Sequence, residues 1–469
     1  MTSTSATANT TALDAAVLGE LREGFRGTVI EPGDARYDDL RGVFNGMFDR
    51  RPAAILRPTG TADVIRAIGL ARLSGLPLAI RSGGHSVAGF SSCDGGIVID
   101  LRDLSGVRVD PAKQTASVQG GVDWGTLDRE TQQFGLATTG GRVTTTGVAG
   151  FTTGSGSGWL ERKLGFASDN LIRADLVTAD GEVVVATEDE NADLLWGLSG
   201  GGGNFGVITE LEFRLAPVPP IVYGGLALFD PAQARELIAT WRDISADAPD
   251  ELGWAIASVC APPEEFVPVE WQGKRMWAVL GQFAGTQEEA ERLLQPLRAL
   301  KPIVDLFQPM PYTVVQSLID PSNPYGRRNY WRAHNLADFG EDTVDTLLAQ
   351  ADRIISPFTA LIVLQMGGAI GRVSEDASAV GGRSAPFAVH LNCMWEGAEA
   401  DEANIAWTRG ATKAFSPWIA PGMGLNFFTE VGDDEIEAGF GAKFTRLRAL
   451  KQQYDPANVF RLNQNIKPS

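Results

Sequence analysis

The sequence predicts an α+β chain of two domains, on three observations. Its 469 residues, 44 % apolar and 21 % charged, suffice for two or three buried cores. Helix-type and strand-type hydrophobic spacings both recur along it. Pro217, Pro219 and Pro220 then mark a change of texture near residue 216. Glycine clusters dominate before that point, and long apolar runs and amphipathic helices follow it.

The elements follow in order. Residues 1–11, rich in Thr, Ser and Ala, read as a flexible tail. Leu13 to Phe25 has helical spacing. Ala62 to Leu73 is an amphipathic helix with Val64, Ile65, Ile68 and Ala71 on one side, Thr61 as N-cap and Gly75 as stop. Leu78 to Arg81 is a short strand running into Ser82-Gly-Gly-His85-Ser86. Gly96 to Leu101, Val107 to Asp110 and Thr115 to Gln119 are strands, and Trp124 to Phe134 is a helix. Asp180-Gly181 between two β-rich runs predicts a hairpin over Ala174 to Thr187. A short helix over Leu194 to Trp196 precedes Gly200 to Gly203 and a strand from Ile208 to Leu215. Beyond the prolines, Met276 to Gly281, Ala360 to Met366 and Ala388 to Trp395 read as strands. Gln287 to Leu300 and Ile436 to Tyr454 read as helices.

Charge excludes some partners. The net charge of -18 repels nucleic-acid phosphates and anionic membranes, so neither is expected as a partner. No stretch of about 18 apolar residues occurs, so no membrane span is predicted. The first residues lack a basic start followed by an apolar run, and a cytoplasmic location is the default expectation. Cys93, Cys260 and Cys393 form no CxxC pair and are expected to be small buried residues. With three histidines, His85, His334 and His390, no metal site is expected.

The chemistry concentrates in glycine-rich motifs. Bare backbone N–H groups in such loops bind phosphate without basic side chains, which suits an acidic protein holding a dinucleotide. Arg81-Ser-Gly-Gly-His-Ser86 would place an imidazole at the rim of such a nest, although spacing alone favours an ordinary turn with a capping histidine. Gly200 to Gly206 is not a Rossmann loop, because it precedes a strand rather than opening a long helix.

Further motifs share an order with it: Gly95-Gly-Ile-Val-Ile-Asp-Leu101, Gln119-Gly-Gly121, Gly165 to Asn170, Gly203-Asn-Phe-Gly-Val-Ile-Thr209, Tyr454-Asp-Pro-Ala-Asn458 and Asn463-Gln-Asn-Ile466. The set resembles the berberine-bridge-type oxidases of the vanillyl-alcohol-oxidase-like flavoproteins. The resemblance implies an α+β, two-domain PCMH-type FAD-binding fold whose substrate domain is an antiparallel sheet covered by helices. It implies an FAD-binding domain over 12–216 with its core at about 48–216, and a substrate domain over 217–428. A C-terminal segment, 429–469, would return to the FAD-binding domain. FAD would be bonded through its 8α-methyl carbon to His85. Arg81, Ser82, Gly83, Gly84, Ser86, Gly89, Gly120, Gly121, Thr145, Thr146, Gly147, Gly150, Gly154, Val207, Asn463 and Asn465 would surround it.

Two departures bear on chemistry. Many relatives carry a second flavin-linking cysteine where this chain has Val143, so a single link to His85 is implied. Thr146 falls beside the reactive flavin face, where small β-branched residues leave room for O2. The family's Tyr-x-Asn becomes Gly424-Leu-Asn426, keeping Asn426 and losing the tyrosine. Candidate catalytic groups are then Tyr312, Tyr325, Tyr330, His334, Gln365 and Asn426. His390 is expected to pack within a sheet.

The segments expected to face the flavin are apolar: Ile362, Leu364, Met366, Cys393, Trp395 and Phe427. They favour a hydrophobic or aromatic substrate. The implied activity is oxidation of a hydroxyl group with O2, by a monomer or homodimer. Amine oxidation, oxygen insertion and a flavin-storing protein with a dead site are the alternatives.

Overall fold

The structure, a computed structural model, describes residues 15–422 and 424–469, so the tail expected over 1–11 lies outside the described residues. The first sheet contains β1 (Thr28–Ile30), β2 (Ala54–Arg57), β3 (Leu78–Arg81) and β4 (Ile97–Asp100), in the order β1-β2-β4-β3. β2 and β3 both run parallel to β4. Parallel strands need a crossover, and helix Thr61–Ser74 provides it. That helix stops at Gly75, φ 65°, as the sequence suggests, but its N-cap is Gly60 rather than Thr61. Asp63, inside the first turn, accepts instead from the Thr59 backbone N–H at 3.0 Å.

The second sheet is antiparallel. After β5 (Val107–Asp110), β6 (Thr115–Gln119) and the short β7 (Leu136–Ala137) come β8 (Leu171–Val177), β9 (Val183–Thr187) and β10 (Val207–Arg214). The order is β5-β6-β10-β8-β9, while β7 pairs with β11 (Ala216–Pro217). The β8–β9 hairpin turns at Asp180-Gly181, where Gly181 takes φ 84°. The helix expected over Ile436 to Tyr454 is two, Asp433–Phe440 and Phe444–Tyr454, because Gly441 between them takes φ 54°. The second of these places Leu447 and Leu450 in the core of this sheet. Lys451, fully buried, donates to Asp455 at 2.7 Å, Asn204 O at 2.9 Å and Phe460 O at 2.8 Å. The chain end is thereby tied to the glycine loop at 200–204.

The third sheet follows the prolines. It comprises β12 (Ile221–Phe229), β13 (Leu252–Cys260), β14 (Arg275–Phe283), β15 (Val304–Asp305), β16 (Gln308–Pro311), β17 (Arg328–Leu336), β18 (Ala360–Gln365) and β19 (Phe387–Trp395). Its path is β15-β12-β14-β13-β18-β19-β17, with β16 also on β12, and every pairing is antiparallel. Helices Ala234–Ala246, Gln287–Ala299, Glu341–Ala351 and Asp401–Phe415 cover one face. Their Trp241, Leu294, Leu347 and Phe415 pack on Trp254, Val279, Leu361, Leu391 and Trp395. Because strand side chains alternate, the intervening residues face the other way, toward the glycine-rich half.

Candidate active site

Between the glycine loops and the open face of the third sheet lies one cavity of about 750 Å³. One wall is Ser82 to Ser86, Thr146, Gly147, Gly150, Gly154, Gly202 and Gly203. The other alternates along the strands: Ala255 and Ala257, Ala360, Ile362 and Leu364, then His390, Asn392 and Met394. Phe427 and Trp331, stacked at 6.4 Å, also line the cavity, as do Cys260 and Phe266.

The glycine wall is shaped by close backbone approach. A Cβ on Gly83 would strike the Gly147 backbone, and one on Gly147 the Gly83 backbone, so the two loops cross only as glycines. Cβ atoms built on Gly150 or Gly203 would meet no protein atom within 4 Å and would fill cavity space instead. Asn463 also lines the cavity, with its buried Oδ1 unpartnered among the described residues. Bare backbone on one side and an unsatisfied acceptor on the other fit a large dinucleotide with hydroxyl and amide groups.

His85 stands at this rim. Its Nε2 lies 2.8 Å from Thr145 Oγ1, its ring stacks on Phe44 at 4.4 Å, and Tyr325 meets it edge-on at 5.1 Å. Burial pushes its pKa down to about 4, so the imidazole is neutral near pH 7 and keeps a nucleophilic lone pair.

Several residues expected to touch a cofactor stand behind the wall instead. Arg81 is buried and holds the carbonyls of Leu40, Arg41 and Ser91, with Asp100 at 3.8 Å. Gly120 and Gly121 are glycines because a Cβ would strike the carbonyls of Ile208 and Leu101. Gly89 gives way to the Phe48 ring, Val207 sits in the core of the first sheet, and Thr145 reaches the site only through His85. Asn465 lies off the lining, its Oδ1 also buried without a partner among the described residues.

The candidate catalytic groups divide sharply. Tyr330 is on the helix-covered face, donating to Glu430 at 3.0 Å and accepting from Arg409 at 3.2 Å. Tyr312 is wholly buried outside the cavity beside Asp128, and burial pushes its pKa well up. Tyr325 is off the lining and spends its hydroxyl on Gly83 O at 2.5 Å. His334 packs edge-on against Phe428 at 5.6 Å with Nε2 buried, and burial followed by Arg332 lowers its pKa to about 4. Gln365 points into the helix layer, donating to Ser245 O at 2.5 Å. Only Asn426 lines the cavity, and its Nδ2 is taken by Phe151 O at 2.9 Å.

The apolar set is corrected in the same way. Ile362, Leu364 and Phe427 line the cavity, whereas Cys393 and Trp395 belong to the helix-side core and Met366 is buried beside it. Cys393 and Trp395 are one residue out of phase with the open face, whereas Met366 keeps the phase of Ile362 and Leu364 but lies just past the end of β18. His390 and Cys260, expected as packing residues, face the cavity, as does Arg142, paired with Glu161 at 2.8 Å. The legible signal was the alternation itself. In β19, Val389, Leu391, Cys393 and Trp395 form one apolar row, and His390 and Asn392 fall on the other.

Two family models match this chain: "FAD binding domain" over residues 52–187, and "Berberine and berberine like" over 431–467. An FAD-linked oxidoreductase of Dictyostelium discoideum is 30 % identical over 458 residues, covering 96 % of this chain and 97 % of that protein. The (R)-6-hydroxynicotine oxidase of Paenarthrobacter nicotinovorans is also 30 % identical, covering 94 % and 97 %. The chain belongs to the berberine-bridge-like family of FAD-linked oxidoreductases. It is therefore an FAD-dependent enzyme with the two-domain α+β fold of that family. The crystal structure of 6-hydroxy-D-nicotine oxidase from Arthrobacter nicotinovorans superposes with a TM-score of 0.85 at 28 % identity, over 95 % of this chain and 98 % of that one. Berberine bridge enzyme shares the fold at a TM-score of 0.85 and 21 % identity, over 98 % and 100 %. Among the described residues no cluster of three or more His, Cys, Asp or Glu side chains could hold a metal, and no helix is long and apolar enough to cross a membrane.

Proposed function

We propose that this enzyme oxidises a hydroxyl group of a small hydrophobic or aromatic molecule, with FAD linked covalently to His85 alone and O2 as acceptor. The observation that carries the linkage is His85 itself. It is a neutral imidazole at the cavity rim, with one ring nitrogen engaged by Thr145 and the other without a hydrogen-bond partner among the described residues. A neutral ring can form a bond to carbon, whereas an imidazolium cannot. Val143 lines the wall where a thioether-forming cysteine would otherwise stand. The bound flavin would accept a hydride from a substrate C–H bond and pass the electrons to O2, giving H2O2. The protein would orient the substrate on the Ala257, Ala360, Ile362 and Leu364 floor and exclude water.

The floor supports an apolar substrate because it offers few polar partners. Amine oxidation is the second reading, favoured by the 6-hydroxynicotine oxidase relative. Against a cationic amine stands the lining, where among the described residues Arg327 and Arg142, the latter paired with Glu161, face the cavity and Glu264 is the one carboxylate. A screen of alcohols, phenols and amines for peroxide release separates the two, and incorporation of ¹⁸O would instead indicate an oxygenase.

The link is tested by acid precipitation of the yellow protein. The colour should stay with the pellet and be lost from it in His85→Ala, which should still bind some FAD but oxidise slowly. Colour in the wild-type supernatant would end the covalent reading.

A further inference from the structure

Once the tyrosines and His334 are placed off the cavity, the carboxylate left on its lining, Glu264, lies in the exposed stretch 262–266 rather than on the buried floor. His390 is the histidine of the sheet that opens onto the cavity. It sits on β19 opposite Ile362 of β18, with Ala333 of β17 on its other side. Its ring lies 4.4 Å from Phe427. Neither ring nitrogen makes a hydrogen bond among the described residues, and neither is sealed away from space as His334 Nε2 is. A buried packing histidine normally satisfies at least one nitrogen. Here the open partner position is the cavity. Asn392, two residues along the same row, likewise makes no side-chain hydrogen bond among the described residues, and its Oδ1 is buried. Both stand among apolar floor residues such as Ala257, Ala360, Ile362, Leu364 and Met394.

We propose that His390 is a catalytic residue that accepts the hydrogen bond and then the proton of the substrate's reacting hydroxyl, with Asn392 as the neighbouring polar contact that orients it. This assignment rests on the oxidase reading above. The O–H bond breaks toward a His390 nitrogen, and the C–H pair leaves as hydride to the bound cofactor. The C=O bond forms between the two. In sum, a secondary alcohol and O2 give a ketone and H2O2 in equal amounts, and the proton held by His390 leaves with the peroxide.

The surroundings suit an acceptor. Burial, followed by the positive Arg142 and then His334, pushes His390 to about 3, and Glu161 pairs with Arg142. The ring is neutral across the working range and presents a lone pair. So weak a base belongs at the low end of general-base effects, about 10²-fold in rate.

Two measurements on the holoprotein test this. In the first, phenol binding is followed by titration calorimetry. His390→Leu should weaken it at least tenfold and His390→Gln, which keeps an acceptor, less. Equal binding by the leucine variant and the parent overturns the assignment. In the second, anaerobic bleaching is followed with whichever alcohol gives the fastest peroxide release. The rate should be level from pH 5 to pH 9 and about 10²-fold lower in His390→Leu, with partial recovery on adding imidazole. Flavin absorbance per protein should be unchanged. Unchanged bleaching in the leucine variant, or a parent rate that rises with an apparent pKa near 10, rejects His390. If no alcohol bleaches the parent, the oxidase reading fails, while the phenol titration still decides whether His390 receives a hydroxyl.

Discussion

The two faces of the third sheet come from the same strands but do different work. On one, Trp395, Leu391, Leu361 and Trp254 pack on four helices and are almost wholly buried. On the other, Ala360, Ile362, His390 and Asn392 face a cavity of about 750 Å³. Neighbours in sequence thus divide between stability and chemistry, and the division follows the two-residue period of a strand rather than residue type. Cys393 and Trp395 are as apolar as Ile362 and Leu364, yet they lie on the packed side.

The largest expected effect is on the packed side. Trp395→Ala should cost about 3–5 kcal/mol of unfolding free energy, since it leaves a cavity and frees Asp401 from its indole N–H. Ile362→Ala, on the open side, should cost about 1 kcal/mol or less. Equal losses by denaturant unfolding would break the comparison.

A second test lies at the seam between the halves, where Gln316 donates to the buried Asp128 at 2.9 Å. Burial pushes Asp128 up to about 7, while an unfolded aspartate titrates near about 3.9. The native state therefore binds the extra proton between those values. Its stability should fall as pH rises from about 4 to about 7 and then level off. Asp128→Asn should remove that fall. The variant would gain up to about 4 kcal/mol over the parent at pH 8 and nothing at pH 4. A parallel pH profile for the two proteins would show that Asp128 does not titrate there.

The smallest stability effect should accompany a clear functional one. Ala360→Leu projects into the cavity, so the unfolding free energy should change by no more than about 0.5 kcal/mol. KM for bulky alcohols should rise about tenfold, within the range of one or two misplaced methylenes. Unaltered selectivity would mean that the substrate lies elsewhere.

The glycine-rich half was the more legible. Gly83, Gly147, Gly150 and His85 act through backbone shape and local order, which short motifs record directly. Arg81, Gly120 and Gly121 share those motifs but serve the loops behind the wall, because a motif does not say which of its atoms face outward. The substrate half was less legible. Tyr330, Tyr312, His334 and Gln365 were sensible chemical candidates, but their direction depends on strand phase and on which face the helices cover.

Sequence alone determined the family, the cofactor class, the sheet-and-helix content and the loop that carries His85. These depend on local spacing and on residues whose role is set by their own backbone. Tertiary structure decided that His390 and Asn392, rather than the tyrosines, face the cavity. Pairing β19 between β18 and β17 sets its phase, and four helices packing on the opposite side leave only one row of that strand open.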